Sequence, residues 1–301
     1  MSKKIKTIKR YNQNYKLFGF TEGQPKAEVE FLESETVINS EGNVLSESKF
    51  DADGEPEEKN SYRYEAHGKP VEHILHLIAE DMTEKRIFNR DEKGRLLEEI
   101  KYYGDDTGER TTFVYDEKDN LVERKYFDEE GDFQAHETFS YNKDGSLLEH
   151  KKTNKEGKIE EHRSFINNDD RTIEQHEYND DGSLSSKTIF KFDEAGKEIS
   201  SIQTTADGKL ISAVTTTYDD NGNEIEKQFK DFYSKTVRYS YDDNNRCLTN
   251  ELFDVNGVLI RKNLYEYDEE GNVIAEQTYE MDTSRGGRDK HFGIRYEYEF
   301  Y

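Results

Sequence analysis

The side chains that could bind a metal ion or perform catalysis are scattered along this sequence. His73 and His76 form the closest histidine pair, in the segment VEHILHL. Residues three positions apart in a strand point to opposite faces of a sheet, so this pair is not expected to share a metal ion. Cys247 is the single cysteine, which leaves no intrachain disulfide and no cysteine-based metal cage. We therefore predict no metal site and no cofactor.

Acidic segments such as FDADG, YNDDG and YDDNG superficially resemble calcium-binding loops. An EF-hand loop needs oxygen ligands at alternate positions and a distal glutamate, whereas these segments carry an aromatic residue where the first ligand belongs. The numerous carboxylates define no specific catalytic pair, and the chain contains no GxSxG, HExxH, phosphate-loop or dinucleotide-binding motif. We therefore predict that the protein is not an enzyme and that these segments are turns.

The turns belong to a motif that recurs along the chain: an aromatic residue, Asp or Asn, two further residues, and then Gly, Asp or Asn. The stretch from Tyr115 to Gly145 contains it three times, as YDEKD, FDEEG and YNKDG. The Asp or Asn side chain can accept hydrogen bonds from backbone amides ahead of it, and the last residue tolerates the left-handed conformation. A short apolar patch and several residues of alternating character follow, which is typical of one strand.

The spacing of the turns indicates a repeat array. Alternate turns are centred near residues 42, 68, 94, 119, 145, 170, 196, 222, 245 and 271, which are 23 to 26 residues apart, and second turns lie between most of them. Around residues 79–82 a turn is expected, although no glycine is present. Such a period predicts about ten two-strand repeats. We place an irregular segment with a capping strand at residues 1–37 and a single array at residues 38–301, with the last strand or strands as a cap.

Short turns force neighbouring strands to pair antiparallel, so we predict an all-β meander of about 18–20 strands. With strands about 4.8 Å apart, an uncurled sheet of this size would be roughly 90 Å long. Because native twist prevents a flat sheet of that width, we expect an elongated, twisted or spiralling open sheet, similar to a solenoid.

Two sets of residues are expected to hold the array together, since cross-strand pairs each contribute about 0.2–1 kcal/mol. The first set closes the turns: Gly42, Gly54, Gly68, Gly94, Gly131, Gly145, Gly157, Gly182, Gly196, Gly208, Gly222, Gly257 and Gly271. The second set forms an aromatic ladder before the turns: Phe50, Tyr64, Tyr115, Phe127, Tyr141, Tyr178, Phe192, Tyr218, Tyr241, Phe253 and Tyr267.

Composition limits the partners and the location of the protein. Only 32% of the residues are hydrophobic and 37% are charged, which favours a thin structure with partial burial. A net charge of −24 disfavours contact with nucleic acid or an anionic membrane surface, and no apolar stretch is long enough for membrane insertion. The lone cysteine and the lack of a signal-peptide pattern favour the cytoplasm. A periplasmic or cell-surface location is the alternative if a signal sequence has been removed.

The segments YDEEGN, YDEKDNL and YDDNGNE, which follow strands such as LYEYD and VRYSYD, resemble the YD repeats of bacterial Rhs and wall-associated proteins. The resemblance covers residues 38–280 and implies long, spiralling antiparallel sheets. Large Rhs proteins resemble cocoons that enclose a toxin domain, whereas we expect no separate carboxy-terminal domain in this chain and too few repeats to enclose much. A weaker likeness to MORN-type hairpin repeats lacks their YxG signature.

Two classes of function remain. We favour a non-enzymatic scaffold that presents a long curved sheet surface to a protein partner, as repeat arrays commonly do. The alternative is a glycan-binding or cell-surface module of the YD-repeat type, in which exposed aromatic rows stack on sugars. A third possibility is that the terminal strand, YEYEFY, captures a peptide at the sheet edge.

Overall fold

The computed structural model describes residues 3–15, 29–65, 68–104, 108–168, 170–231, 234–281 and 289–301. These residues form strands that belong to one antiparallel sheet: β1 (Ile5–Asn14), β2 (Val29–Ile38), β3 (Val44–Phe50), β4 (Pro56–Tyr64), β5 (Pro70–Leu77), β6 (Met82–Arg90), β7 (Leu96–Tyr103), β8 (Gly108–Tyr115), β9 (Leu121–Phe127), β10 (Phe133–Tyr141), β11 (Leu147–Asn154), β12 (Ile159–Asn168), β13 (Thr172–Tyr178), β14 (Leu184–Phe192), β15 (Glu198–Thr205), β16 (Leu210–Tyr218), β17 (Glu224–Lys230), β18 (Lys235–Tyr241), β19 (Cys247–Phe253), β20 (Leu259–Tyr267), β21 (Val273–Glu280) and β22 (Lys290–Phe300). Within the described ranges, no helix has the length and apolar character needed to cross a membrane.

The chain forms two compact units. The first unit comprises Met1–Tyr62, Leu75–Asp81 and Thr216–Tyr301, and the second comprises Arg63–Ile74 and Met82–Thr215. Part of the predicted irregular segment, residues 16–28, lies outside the described residues, whereas the flanking residues form β1 and β2.

Most of the turns are closed by hydrogen bonds to their first side chain, as the turn after β8 illustrates. The Asp116 Oδ1 accepts hydrogen bonds from the backbone amides of Lys118 and Asn120, both at 2.9 Å. The backbone amide of Asp119 donates to the Asp116 carbonyl at 3.1 Å, and Asp119 has a φ of 67°. Tyr115 then pairs with Leu121 across a register shift, so the turn sequence also determines a β-bulge and the pairing of the next strand.

The structure places all the turn-closing glycines predicted from the sequence in the left-handed region, with φ between 72° and 92°. Three further turns have a left-handed residue other than glycine. Asn245 closes the turn after β18 with φ 62°, and Asp81 closes the turn without a glycine at residues 79–82 with φ 48°. In the turn predicted at Asp170, the left-handed residue is Arg171, with φ 63°.

The prediction of an elongated, twisted or spiralling open sheet, similar to a solenoid, is wrong. β1 pairs antiparallel with β2 on one side and with β22 on the other, so that Lys9 lies opposite both Glu35 and Glu297. Because its first strand pairs with its last, the antiparallel sheet is closed and has no open edge at either end of the chain. The turn motifs predicted only local pairing, whereas closure satisfies the backbone groups that an open sheet leaves unpaired at its two edge strands.

Closure also argues against peptide capture at the terminal strand. β22, which contains all of YEYEFY except Tyr301, pairs with β21 through residues 290–295 and with β1 through residues 292–300. The expected peptide-binding edge is therefore already hydrogen-bonded to β1.

Few side chains are fully buried. Among the described residues, Ala135 and Ile294 are the buried apolar residues, and the buried polar residues include Thr7, Glu137 and Ser186. Backbone ladders and cross-strand side-chain contacts therefore carry the stability of each unit, instead of a thick apolar core.

The aromatic residues that precede the turns lie in two rows. One row ends even-numbered strands: Tyr64, Tyr115, Tyr141, Phe192, Tyr218, Tyr241 and Tyr267. The other ends odd-numbered strands: Phe50, Phe127, Tyr178 and Phe253. Phe127 pairs with Arg110, which lies five positions before Tyr115 in β8, so Phe127 and Tyr115 lie on opposite faces.

Closure can be tested by a cross-link between the ends of the sheet. In a Cys247→Ser background, we expect Lys9→Cys and Glu297→Cys to form a disulfide on mild oxidation, because directly paired residues lie within disulfide reach. The measurement is the mobility of the oxidised chain on a denaturing gel. The control is Lys9→Cys with Glu251→Cys on β19; equal cross-linking in the two variants would contradict closure.

Candidate functional site

The second unit presents a face of the sheet that we call the tyrosine face, which carries Phe113, Tyr115, Val122, Phe139 and Tyr141. Register and strand alternation place these residues together at the end of the strands where the turns after β8 and β10 lie. Burial raises the pKa of the Tyr141 hydroxyl, so this side chain is neutral at physiological pH.

The tyrosines of this row are anchored by their hydroxyl groups. The Tyr115 Oη donates to the Leu96 carbonyl at 3.0 Å, and the Tyr141 Oη donates to the Leu121 carbonyl at 2.8 Å. Leu96 and Leu121 are the first residues of β7 and β9. Each tyrosine is therefore bonded to the strand that begins directly after the preceding turn of its row. The first unit repeats this bond at Tyr241 and Tyr267, both at 2.7 Å. Burial raises the pKa of Tyr241 to about 12. The rings therefore have a structural role in every case where this bond is made.

An arginine covers the ring of Tyr115. Arg95 follows the left-handed residue of the turn after β6, and its Nε donates to the Asp91 Oδ2 at 2.7 Å. The guanidinium also pairs with the Asp119 carboxylate of the next turn, and its Cζ lies 5.1 Å from the centre of the Tyr115 ring. One side chain thus links two turns and shields an aromatic face.

The same arrangement recurs in the first unit. The Arg246 Nε donates to the Asp242 Oδ2 at 2.6 Å, and its Cζ lies 5.0 Å from the centre of the Tyr267 ring. Its Nη1 donates to the Asp268 carbonyl of the next turn at 3.4 Å. Two different repeats therefore bind a guanidinium with a carboxylate, a tyrosine ring and an oxygen atom of the following turn.

Between the turns after β8 and β10 the tyrosine face has a cleft with a volume of about 610 Å³. Asn120 occupies the same position in the turn after β8 as Arg95 does in the turn after β6. The Asn120 Nδ2 donates to the Asp116 Oδ2 at 3.0 Å. Val122, Phe139 and Tyr141 supply apolar surface to the cleft, and Asn142 lines it from the next turn. Its volume falls within the range of small-ligand sites.

An aliphatic row runs along the same turns. In the second unit, the second residue of each odd-numbered strand is aliphatic: Val71, Leu97, Val122, Leu148, Ile173 and Ile199. Leu97 is 41% exposed and Leu148 is 43% exposed. Alternate strands are about 10 Å apart, so the row forms a regular line of apolar contacts. The sequence-based prediction missed these residues, although an aliphatic residue near the start of each of these strands carried the signal.

A buried polar cluster lies further along the tyrosine face. The Tyr126 Oη donates to the Glu137 Oε1 at 2.6 Å, and the Arg124 Nη1 donates to the Glu137 Oε2 at 3.3 Å. The His150 ring stacks on Phe139 with centroids 4.8 Å apart, and its Nε2 lies 3.4 Å from the Glu137 Oε2. Burial, followed by the bond to Glu137, raises the pKa of Tyr126. The Arg124 guanidinium compensates the charge of the buried carboxylate.

The histidine pair and the cysteine considered from the sequence lie on strands other than those of this cluster. His73 and His76 both lie on β5, and burial lowers the pKa of His73. Cys247 is partly buried in the first unit, and burial raises the pKa of its thiol. In the described part of the chain, no three His, Cys, Asp or Glu side chains are arranged to hold a metal ion.

No protein-family model matches the sequence, and no curated protein matches it. Among solved structures, the chain is similar to the Tc holotoxin pore of Photorhabdus luminescens, with 15% identity over 82% of this chain and 16% of that chain, and a TM-score of 0.30. A TcdB2-TccC3-Cdc42 structure matches at 11% identity over 90% of this chain and 18% of that chain, with a TM-score of 0.31. A porin-like protein from Bacteroides uniformis matches at 11% identity over 98% and 96% of the two chains, with a TM-score of 0.32.

This chain spans only 16% and 18% of the two toxin-related chains. Because all three TM-scores are below 0.5, these likenesses carry no argument about function.

The charge of the turn side chain gives a testable pH dependence. Hydrogen bonds from the side chain and the backbone of Asn120 hold the pKa of Asp116 below its ordinary value. A lowered folded-state pKa stabilises the fold above the unfolded-state pKa of about 3.9, and this contribution is lost as the pH falls through the folded-state value. We expect Asp116→Asn, which keeps an acceptor oxygen, to reduce the loss of stability between about pH 5 and pH 2.

Urea unfolding at several pH values measures this difference. Glu117→Gln, at the exposed neighbouring position, removes the same charge without removing a turn acceptor and serves as the control. An identical pH dependence in wild type and Asp116→Asn would show that the turn bonds do not favour the ionised carboxylate.

Proposed function

We propose that this protein is a non-enzymatic binding protein that presents the tyrosine face of its second unit to a protein partner. The aliphatic row carries this proposal. Leu97 and Leu148 are large apolar side chains that remain more than two-fifths exposed at equivalent positions of two repeats. Large apolar side chains that are exposed at repeated positions on a polar surface are typical of protein interaction sites.

The sheet closure supports binding through side chains. Because β1 and β22 pair with each other, the terminal strands have little unpaired backbone to offer a partner. The net charge of −24 favours a partner with a basic surface, since complementary charge accelerates association and disfavours acidic competitors.

Glycan binding, the alternative function, receives less support from the aromatic residues. A sugar-stacking platform needs open aromatic faces, whereas Arg95 covers Tyr115 and Arg246 covers Tyr267. The tyrosine hydroxyls of this row also donate to backbone carbonyls, so they are engaged within the sheet.

We further propose that the repeats are of the YD type. The aspartate after the tyrosine has a specific role in this chain, because its Oδ1 accepts the two backbone amides that close the turn, as at Asp116, Asp219 and Asp242. The tyrosine before it anchors the turn to the preceding repeat. A tyrosine–aspartate pair at this position is therefore explained by two separate bonds.

The binding proposal is tested by placing charge in the aliphatic row. We expect tagged wild-type protein to retain a stoichiometric partner from lysate of its source organism at moderate salt. The double variant Leu97→Asp/Leu148→Asp should retain at least about tenfold less, because it places two carboxylates in an apolar contact. Mass spectrometry of the retained proteins measures the difference.

The matched control is Ile166→Asp/Ile202→Asp, which adds the same charge at side chains 45% and 43% exposed on the opposite face of the same unit. This variant should retain the partner, and circular dichroism should show that both variants are folded. Equal retention by both variants, or the absence of any retained protein, would contradict the proposal.

A further inference from the structure

The cleft beside Tyr141 corresponds to a position that is filled by a guanidinium elsewhere in the chain. Arg246 is held by the Asp242 carboxylate, the Tyr267 ring and the Asp268 carbonyl. Arg95 is held in the same way by Asp91 and Tyr115, with Asp119 supplying the oxygen of the following turn. The chain thus shows twice what this arrangement of groups binds.

In the turn after β8, the residue at the arginine position is Asn120. Its amide reaches the Asp116 Oδ2 at 3.0 Å, but its side chain is too short to cover the next tyrosine ring. The counterparts of the three groups that hold Arg246 are Asp116, Tyr141 and Asn142. All three line the cleft.

We propose that this cleft binds the guanidinium group of an arginine side chain from a basic protein partner. The proposal rests on the proposed function and specifies part of the contact. The Asp116 carboxylate would accept hydrogen bonds from the guanidinium, the Tyr141 ring would lie beneath it, and the Asn142 carbonyl would accept from its far side. Charge-assisted hydrogen bonds and stacking on an aromatic ring both favour arginine over a neutral side chain.

Two lysines, Lys118 and Lys143, also line the cleft. Lys93 occupies the turn position that corresponds to Lys118, and it coexists with Arg95 around the same Asp119 carboxylate. The Lys118 Nζ donates to the Lys143 carbonyl at 3.1 Å, so this ammonium is held across the two turns.

Asparagine at this turn position does not always leave a site. Asn223 has the same position in the turn after β16, where its Nδ2 also donates to the Asn245 Oδ1 of the next turn at 2.8 Å. This bond bridges the two turns. Asn120, by contrast, bonds within its own turn, and the cleft lies beside it.

The site can be tested without knowing the partner. The probe is N-acetyl-L-arginine amide, added to wild-type protein while the backbone amide resonances are followed by NMR. We expect saturable shifts confined to residues 116–120 and 139–143, with a dissociation constant on the order of 1 mM for a single side chain. N-acetyl-L-citrulline amide, a neutral analogue of similar shape, should bind at least about tenfold more weakly.

Asn120→Arg gives the sharpest variant. Its own guanidinium should occupy the cleft as Arg95 occupies its site, so binding of the probe should be lost and the melting temperature should rise by about 2 °C. Tyr141→Leu should weaken binding by about fivefold through loss of the ring. Thr138→Arg adds the same charge as Asn120→Arg at an exposed residue on the opposite face, and probe binding should be unchanged.

Equal binding of the citrulline analogue, or full binding by Asn120→Arg, would overturn the arginine site. Failure of this site is distinguishable from failure of the proposed function. If Leu97→Asp/Leu148→Asp abolishes partner capture while the probe does not bind wild type, the protein-binding function stands and the arginine contact is wrong. If the probe binds but no partner is captured, the cleft recognises guanidinium groups and the scaffold function is wrong.

Discussion

The hydrogen bonds that the first turn side chain accepts are the interaction on which the rest of this structure depends. At Asp116, Asp219, Asp242 and equivalent positions, one carboxylate oxygen accepts two backbone amides and closes the turn. The left-handed residue that follows sets a bulge, and the bulge sets which residues of the next strand face each other. A local polar contact, repeated along the chain, thereby determines the register of each strand and the rows in which side chains lie.

This arrangement explains how a chain with 37% charged residues forms regular structure around few buried apolar residues. Each strand is satisfied by backbone hydrogen bonds to its neighbours, and the tyrosine hydroxyls add bonds between turns of the same row. Arginine side chains shield aromatic faces and pair with turn carboxylates at the same time. Stability is therefore distributed over many moderate contacts, and closure contributes by pairing β1 with β22.

Differences between repeats are the features from which the proposed binding site follows. Tyr115 and Tyr141 are equivalent, and both anchor to the preceding repeat by the same hydroxyl bond. They differ in the residue that follows the left-handed position of the preceding turn in the row. Arg95 covers the Tyr115 ring, whereas Asn120 leaves space beside the Tyr141 ring. The repeat at Asn120 supplies the carboxylate, the tyrosine ring and the turn oxygen, but no guanidinium. Because other repeats of the chain hold an arginine with these groups, a guanidinium is the complementary ligand.

The sequence by itself determined the strands, the turns and the antiparallel pairing of neighbours, because aromatic-Asp-x-x-Gly encodes a hairpin within a few residues. Sequence spacing also located the turns without glycine, at Asp119 and Asn245, since both asparagine and aspartate tolerate positive φ. Only the tertiary structure decided closure, because the pairing of Lys9 with Glu297 joins the ends of the chain and no turn motif encodes it. The same holds for the two aromatic rows and for the cleft at Asn120. Each depends on which residues from separate strands share a face and an end of the sheet, and this is fixed by register and not by the period of the repeat.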